Sequence, residues 1–165
     1  MASLFLAGGA VRDMLLGRPV HDMDFAFSGT EEDFVQRFPH ARKTSEHPPI
    51  WVAGGFEFCP LTGGSPDEDV MRRDLTVNAL LLDDRGRLYM HPRSLDDLRE
   101  GVLRPVSTCA FFDDPARVYR LARLAAALVW YGDKRSLREW GLCGPGCGGA
   151  ASRPGYALWI AQKEE

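Results

Sequence analysis

Residues 5–25 read Phe5-Leu6-Ala7-Gly8-Gly9-Ala10-Val11-Arg12-Asp13-Met14-Leu15-Leu16-Gly17-Arg18-Pro19-Val20-His21-Asp22-Met23-Asp24-Phe25. A short apolar strand runs into adjacent glycines, a helix carrying Arg12 follows, and a second strand opens on Asp22-x-Asp24. Gly8-Gly9 lets the backbone come close to an anion, and the helix N-terminus behind it offers free N–H groups and a positive dipole end. Carboxylates at i and i+2 on a strand project from one face, so both can grip one hard cation. Each half is common by itself. Their order and spacing together point to a phosphate cradle beside a cation site.

Outward from this stretch, Leu4 to Ala7 is predicted as a buried strand and Val11 to Leu16 as a helix ended by Gly17 and Pro19. Asp24 to Phe27 forms a strand with Asp24 and Ala26 on one face, Phe25 and Phe27 on the other. Thr30 before Glu31, Glu32 and Asp33 reads as an N-cap with an acidic first turn, opening a helix to about Phe38. Trp51 to Ala53 and Phe56 to Cys59 flank Gly54-Gly55, a hairpin signal. Gly63 to Glu68 reads as a loop. Thr76 to Leu82 is strongly apolar, and Asp83-Asp84-Arg85-Gly86 turns it into a strand at Leu88 to Met90. Leu95 to Arg99 is a short helix capped by Gly101, Leu103 to Val106 is extended, and a long helix runs from Pro115 to about Tyr131 behind Asp113 or Asp114 as cap. Residues 141–155 are rich in glycine and cysteine and are expected to form a mobile segment.

At 165 residues the chain suits one domain with a short extension. Its 45% hydrophobic and 26% charged residues are ordinary for a globular protein. A net charge of −3 argues against clamping a large nucleic acid by bulk positive potential, although clustered arginines leave room for a local basic patch. No stretch approaches the roughly 20 apolar residues of a membrane span, and the N-terminus has no basic region of a signal peptide. Cys59, Cys109, Cys143 and Cys147 include only one close pair, a weak zinc signal, so a reducing cytoplasmic protein is expected. His21, His40, His47 and His91 show no metal spacing.

Four blocks occur in order: Gly8-Gly9-Ala10-Val11-Arg12-Asp13, Asp22-Met23-Asp24, Arg72-Arg73-Asp74-Leu75-Thr76-Val77-Asn78-Ala79-Leu80, and Asp113-Asp114-Pro115-Ala116-Arg117-x-x-Arg120-x-x-Arg123. On these the chain resembles the class II tRNA nucleotidyltransferase and bacterial poly(A) polymerase family over roughly residues 4–130. The resemblance implies an α/β (α+β) head of the nucleotidyltransferase fold, a small mixed sheet with helices on one side, followed by a helical neck. The head spans residues 1–110, the neck helix 111–133 and a Gly/Cys-rich extension 134–165. It also implies Mg²⁺-dependent transfer of CMP or AMP from CTP or ATP to an RNA 3′-hydroxyl, a tRNA 3′ end above all, without a nucleic-acid template.

On this resemblance Asp22 and Asp24 hold the metal, against the plainer reading of turn residues before a strand. Glu57 is the candidate third carboxylate, or else a solvated strand charge. Gly8 and Gly9 meet the triphosphate through the backbone and Arg12 through its guanidinium fork, unless Arg12 is a surface helix arginine. Arg73 contacts the nucleotide, while Asp74 and Asn78 position the ribose or nearby backbone; Asn78 can equally satisfy a buried turn. Asp114 offers acceptors and Arg117 donors to the Watson–Crick edge of the incoming base. Arg120 and Arg123 extend that row toward base or phosphates, or form a solvated arginine face with an Asp–Arg pair. Tyr119, Leu121, Leu124 and Leu128 read as packing.

The chain departs from the family pattern in the short acidic stretch between Glu57 and Arg72, in His91-Pro92 where Asp-Pro is usual, and in lacking the helical body and tail that bind tRNA. RNA binding is therefore expected to be weak and salt-sensitive, with a partner chain or homo-oligomer left open. Three functions compete: an RNA nucleotidyltransferase, a truncated nucleotide-binding module inactive alone, and an enzyme acting on a small acceptor. A base reader at Asp114-x-x-Arg117 favours the first over the third.

Overall fold

The computed structural model describes residues 2–107, 110, 116–128 and 131–132. Asp113, Asp114 and Pro115, the three later cysteines and the segment from 133 onward lie outside the described residues.

Strand β1 (Leu4–Ala7) leads into helix α1 (Gly9–Leu15), and strand β2 (Asp24–Phe27) returns antiparallel to β1. Helix α2 (Glu31–Arg37) follows, then β3 (Arg42–Glu46), β4 (Pro49–Ala53) and β5 (Phe56–Pro60). Helix α3 (Pro66–Val70) and a 3-10 turn (Thr76–Asn78) precede β6 (Leu80–Asp83), β7 (Leu88–Met90), α4 (Ser94–Glu100) and β8 (Val102–Leu103). Helix α5 (Ala116–Leu128) and β9 (Tyr131–Gly132) complete the described chain, with β9 pairing parallel to β8. The main sheet has seven strands in the order β3-β4-β5-β2-β1-β6-β7, antiparallel except for the parallel pair β2 and β5. The mixed sheet with helices that the resemblance implies is present.

Local chemistry explains most boundaries. Thr30 accepts from the Asp33 N–H while the Asp33 carboxylate accepts from the Thr30 N–H, a reciprocal cap that starts α2. Gly101 closes α4 in the left-handed conformation, φ 67°. Three expectations need correction. The stretch at 63–68 is not all loop: Ser65 caps α3, with Pro66 in its first turn and acids behind it. The apolar run from Thr76 opens as a 3-10 turn and becomes strand only at Leu80. Strand β3 was not foreseen, because Arg42-Lys43-Thr44-Ser45-Glu46 carries no apolar alternation.

Each sheet face has its own core. One carries Phe27, Phe34 and Phe58, with Phe25, Phe38 and Trp51 against them; Phe27 and Phe34 are fully buried and stack at 4.3 Å. Val11, Leu80, Leu98 and residues of α5 extend that side. The opposite face carries Phe5, Ala7, Ala26 and Leu81 beneath Val70 of α3. Helices therefore lie on both faces, where one side only was expected, because Val70 of α3 packs over a small part of the second. Among the described residues no helix covers most of that second face toward β5, β4 and β3, which leaves room for a site at the end of β2.

Candidate active site

The turn from β1 into α1 requires glycine. Gly8 sits at φ +58°, and a Cβ there would stand 3.5 Å from Arg73 Nη1 and 3.7 Å from the Asn78 carbonyl oxygen. The Gly8 N–H donates to the Leu80 carbonyl at 3.0 Å, which docks the turn on β6. The space would admit a Cβ at ordinary contact distance, so the positive φ is what requires glycine.

Arg12 is buried, which removes the reading of a surface helix arginine. Its Nε and Nη2 donate to the Asp13 carboxylate at 2.9 and 3.0 Å, and its Nη1 donates to Asn78 Oδ1 at 2.7 Å. Three of the five guanidinium N–H groups are thereby used and two stay available to an anion. Asn78 does hold a turn, by bonding Arg12.

Arg73 is fixed in the same way. Asp69, buried on α3, accepts from Arg73 Nε and Nη2, both at 2.7 Å, and its other oxygen accepts from the Thr62 N–H at 2.8 Å. This clamp leaves Nη1 on the Gly8 side. Sequence reasoning missed Asp69, although an acid four residues before an arginine in a short helix was a legible signal. Asp74 accepts from the Leu75 N–H at 2.8 Å and pairs with Arg120 Nε of α5 at 3.2 Å. The neck helix is thus tied to the Arg-Arg-Asp block.

Asp24 opens β2 opposite Ala7 of β1 and Glu57 of β5 in register, so the two carboxylates stand on adjacent strands and the same face. Partial burial pushes the Asp24 carboxyl above its usual range, the Asp22 charge pushes it further, and Arg73 pulls it back. Asp24 therefore lies within electrostatic reach of both Asp22 and Arg73. Cys59, two residues along the same face from Glu57, is pushed up by burial and partly offset by Arg73, with Asp69, Asp24 and Glu57 raising it further. Among the described residues no three or more His, Cys, Asp or Glu side chains gather as a ready metal cage.

The neck residues fall in two groups. Arg117 Nη1 donates to the Ala110 carbonyl at 3.0 Å, and Arg120 pairs with Asp74 as above. Arg123 is exposed. Leu121 and Leu128 are buried with Leu124 packed against them, but Tyr119 is 80% exposed, which overturns its reading as a packing residue. Asp114 lies outside the described residues.

Behind the block a buried clasp holds the 3-10 turn. Asp97, 1% exposed, accepts from Thr76 Oγ1 at 2.6 Å and from Arg104 Nε at 3.1 Å and Nη2 at 3.2 Å. Ser94 Oγ donates to the Thr76 carbonyl at 2.6 Å. Ser94 and Asp97 sit in the connection that begins at His91-Pro92.

The profile of the poly A polymerase head domain matches residues 4–52. A multifunctional CCA protein of Pseudoalteromonas atlantica is 38% identical over 148 residues, covering 78% of this chain and 36% of that protein. One from Acinetobacter baylyi is 36% identical over 151 residues, covering 79% and 36%. The resemblance to the tRNA nucleotidyltransferase and poly(A) polymerase family holds. The CCA-adding enzyme of Bacillus stearothermophilus, solved in complex with CTP, superimposes with a TM-score of 0.72 at 28% identity, over 84% of this chain and 38% of that one. This chain spans about a third of the length of the curated relatives it matches. No helix among the described residues is long and apolar enough to cross a membrane.

Proposed function

We propose that the chain is a nucleotidyltransferase head (residues 1–110) with the start of a neck (111–133), transferring CMP or AMP from CTP or ATP to the 3′-hydroxyl of an RNA, a tRNA 3′ end, in the cytoplasm. The observation that carries this reading is that Asp24 and Glu57 stand in register on one sheet face, with Arg73 lying over the Gly8 turn and within electrostatic reach of Asp24. The resemblance to proteins that add CCA supports the same chemistry.

The donor set fits Mg²⁺. That ion is commonly held by one or two carboxylates completed by substrate phosphates and water, so a three-residue cage is not required. Its own burial and the Asp22 charge both disfavour the ionised Asp24 carboxylate, a cost that a divalent cation would relieve. Bound there, Mg²⁺ would stabilise the charge that develops on the attacking and leaving oxygens of the displacement. Glu57, in register with Asp24, is the candidate third carboxylate beside that cation.

The chain's own residues supply the rest. Gly8 and Gly9 let phosphate oxygens approach the backbone, and the free N–H groups of Arg12 and Arg73 meet them as charge-assisted donors. Helix α1 has only seven residues, so the charged side chains carry more of this task than its dipole. The Asp74–Arg120 pair sets the neck helix against the site, so that Arg117 and Asp114 can sort bases and Arg123 can meet a phosphate.

The test is incubation of the protein, Mg²⁺ and labelled CTP or ATP with tRNA lacking its 3′ end. Label entering the RNA supports transfer. Measurable nucleotide binding with no incorporation identifies a binding module instead and contradicts the proposal.

A further inference from the structure

The registers of five strand pairs define one row of side chains across the open sheet face. From Leu81 of β6 it runs through Ala7, Asp24, Glu57 and Val52 to Arg42 of β3. Register partners on neighbouring strands project to the same face, so the row ends in a cation beyond two carboxylates and one apolar step. Arg42 is exposed, and among the described residues no ion pair or side-chain hydrogen bond engages it. Its neighbour Lys43 points to the other face and is committed, bonding Glu31 at 2.9 Å and Glu46 at 2.7 Å and lying over the Trp51 ring. The contrast makes Arg42 the unspent charge of β3.

The row has a direction. The glycine turn, Arg12 and Arg73 lie beside Ala7 at one end, and there the triphosphate belongs if the proposed function is right. In-line displacement requires the attacking hydroxyl to come from the side opposite the leaving pyrophosphate. That side is β5, β4 and β3. An RNA strand entering there passes Glu57, whose charge repels its phosphates, and needs a cation within its last nucleotides. Two strand spacings place Arg42 about 10 Å from Glu57 between Cα atoms, within a side chain's reach of a strand ending at Asp24.

We propose that Arg42 binds the sugar–phosphate backbone of the RNA acceptor near its 3′ end, and so sets the direction from which the acceptor enters. This rests on the nucleotidyltransferase reading, and it adds an acceptor contact on the sheet to those the neck arginines offer. Arg42 is a positioning residue for the acceptor and touches no nucleotide triphosphate.

The experiment measures fluorescence anisotropy of a short labelled RNA with a free 3′-hydroxyl, at low salt, on the full chain. CTP affinity is measured in parallel by calorimetry. Arg42→Ala is expected to weaken RNA binding about fivefold and Arg42→Glu further, with the log–log salt slope shallower by about 0.7 in Arg42→Ala. CTP affinity and melting temperature stay as in the wild type. Arg99→Ala removes the same charge from α4 and controls for net charge. Wild-type RNA affinity in both Arg42 variants, a loss no larger than that of Arg99→Ala, or no RNA binding by the wild type overturns the proposal. Failure of the wild type to bind CTP refutes the nucleotidyltransferase reading separately.

Discussion

The aromatic core under α2 and the polar layer around residues 73–79 are held by different forces. The first is a nest of rings: Phe34 touches Phe27, Phe38, Trp51 and Phe58 at centroid distances of 4.3–5.8 Å. Its attraction is non-directional, so it fixes volume more strongly than atomic position. The second is gripped by charged hydrogen bonds from several sides: Arg12 on Asn78, Asp69 on Arg73, Arg120 on Asp74, and Asp97 on Thr76. That stretch is mostly irregular backbone with few ladder bonds, so directional contacts must set where Arg73 and Asn78 stand. The comparison teaches that this molecule spends its apolar side chains on stability and its buried polar ones on placing the site.

The sharpest test separates activity from stability. Asp24→Asn is expected to reduce transfer about a thousandfold or more, since metal binding supplies several kcal/mol to the transition state. The folded Asp24 carboxyl titrates above its usual range, so its charge costs stability once pH exceeds the unfolded value. In EDTA at neutral pH the variant should therefore melt slightly higher than the wild type, and the gain should vanish below about pH 3, where both states are protonated. A variant that transfers normally breaks the assignment.

Two substitutions of similar size test the comparison directly. Phe34→Ala removes the centre of the ring nest and should cost about 3–5 kcal/mol by denaturant titration. Asp97→Ala removes the buried acceptor shared by Thr76 Oγ1 and Arg104 and should cost about 3–5 kcal/mol as well. Well below their melting points the two should diverge. Asp97→Ala weakens CTP binding by about tenfold through displacement of Asn78 and Arg73, whereas Phe34→Ala leaves it near wild type. Equal losses of CTP affinity would erase the distinction between the two regions.

Much of this division was legible in the sequence, and its gaps have physical causes. The glycine turn and the Gly54-Gly55 hairpin depend on backbone rules that few residues other than glycine satisfy, and Asp22-x-Asp24 on strand alternation, so they stood out. The reciprocal cap at Thr30 and Asp33 was equally local. Strand β3 could not be seen, since its stability comes from pairing with β4 and from Lys43 reaching Glu31, not from its own side chains. Helix α3 carried a readable cap in Ser65, masked by the neighbouring glycines. For the proposed site, Asp22, Asp24, Gly8, Arg12 and Arg73 were singled out from the sequence as a set. Of the partners that hold them, Asp69 carried a readable i,i+4 signal that was passed over, whereas the Asp13 contact to Arg12 showed only in the fold. Tyr119 misled in the other direction: an aromatic at helical spacing implied burial, and its helix turns it outward.

A smaller effect is expected from Asn78→Ala, which deletes one charge-assisted bond to Arg12 and should lower stability by about 1.5–3 kcal/mol, with Asn78→Asp recovering part of it. Chemical denaturation of the three proteins side by side checks this. No recovery by the aspartate would mean that Asn78 acts through packing and not through the guanidinium.

The most direct measurement is calorimetric titration of CTP with and without Mg²⁺, on the wild type and on the Asp22→Ala/Asp24→Ala double variant. A carboxylate pair that seats the cation beneath the phosphates predicts that Mg²⁺ tightens CTP binding about tenfold or more in the wild type and not at all in the double variant. An equal Mg²⁺ gain in both proteins would place the cation elsewhere and contradict the account.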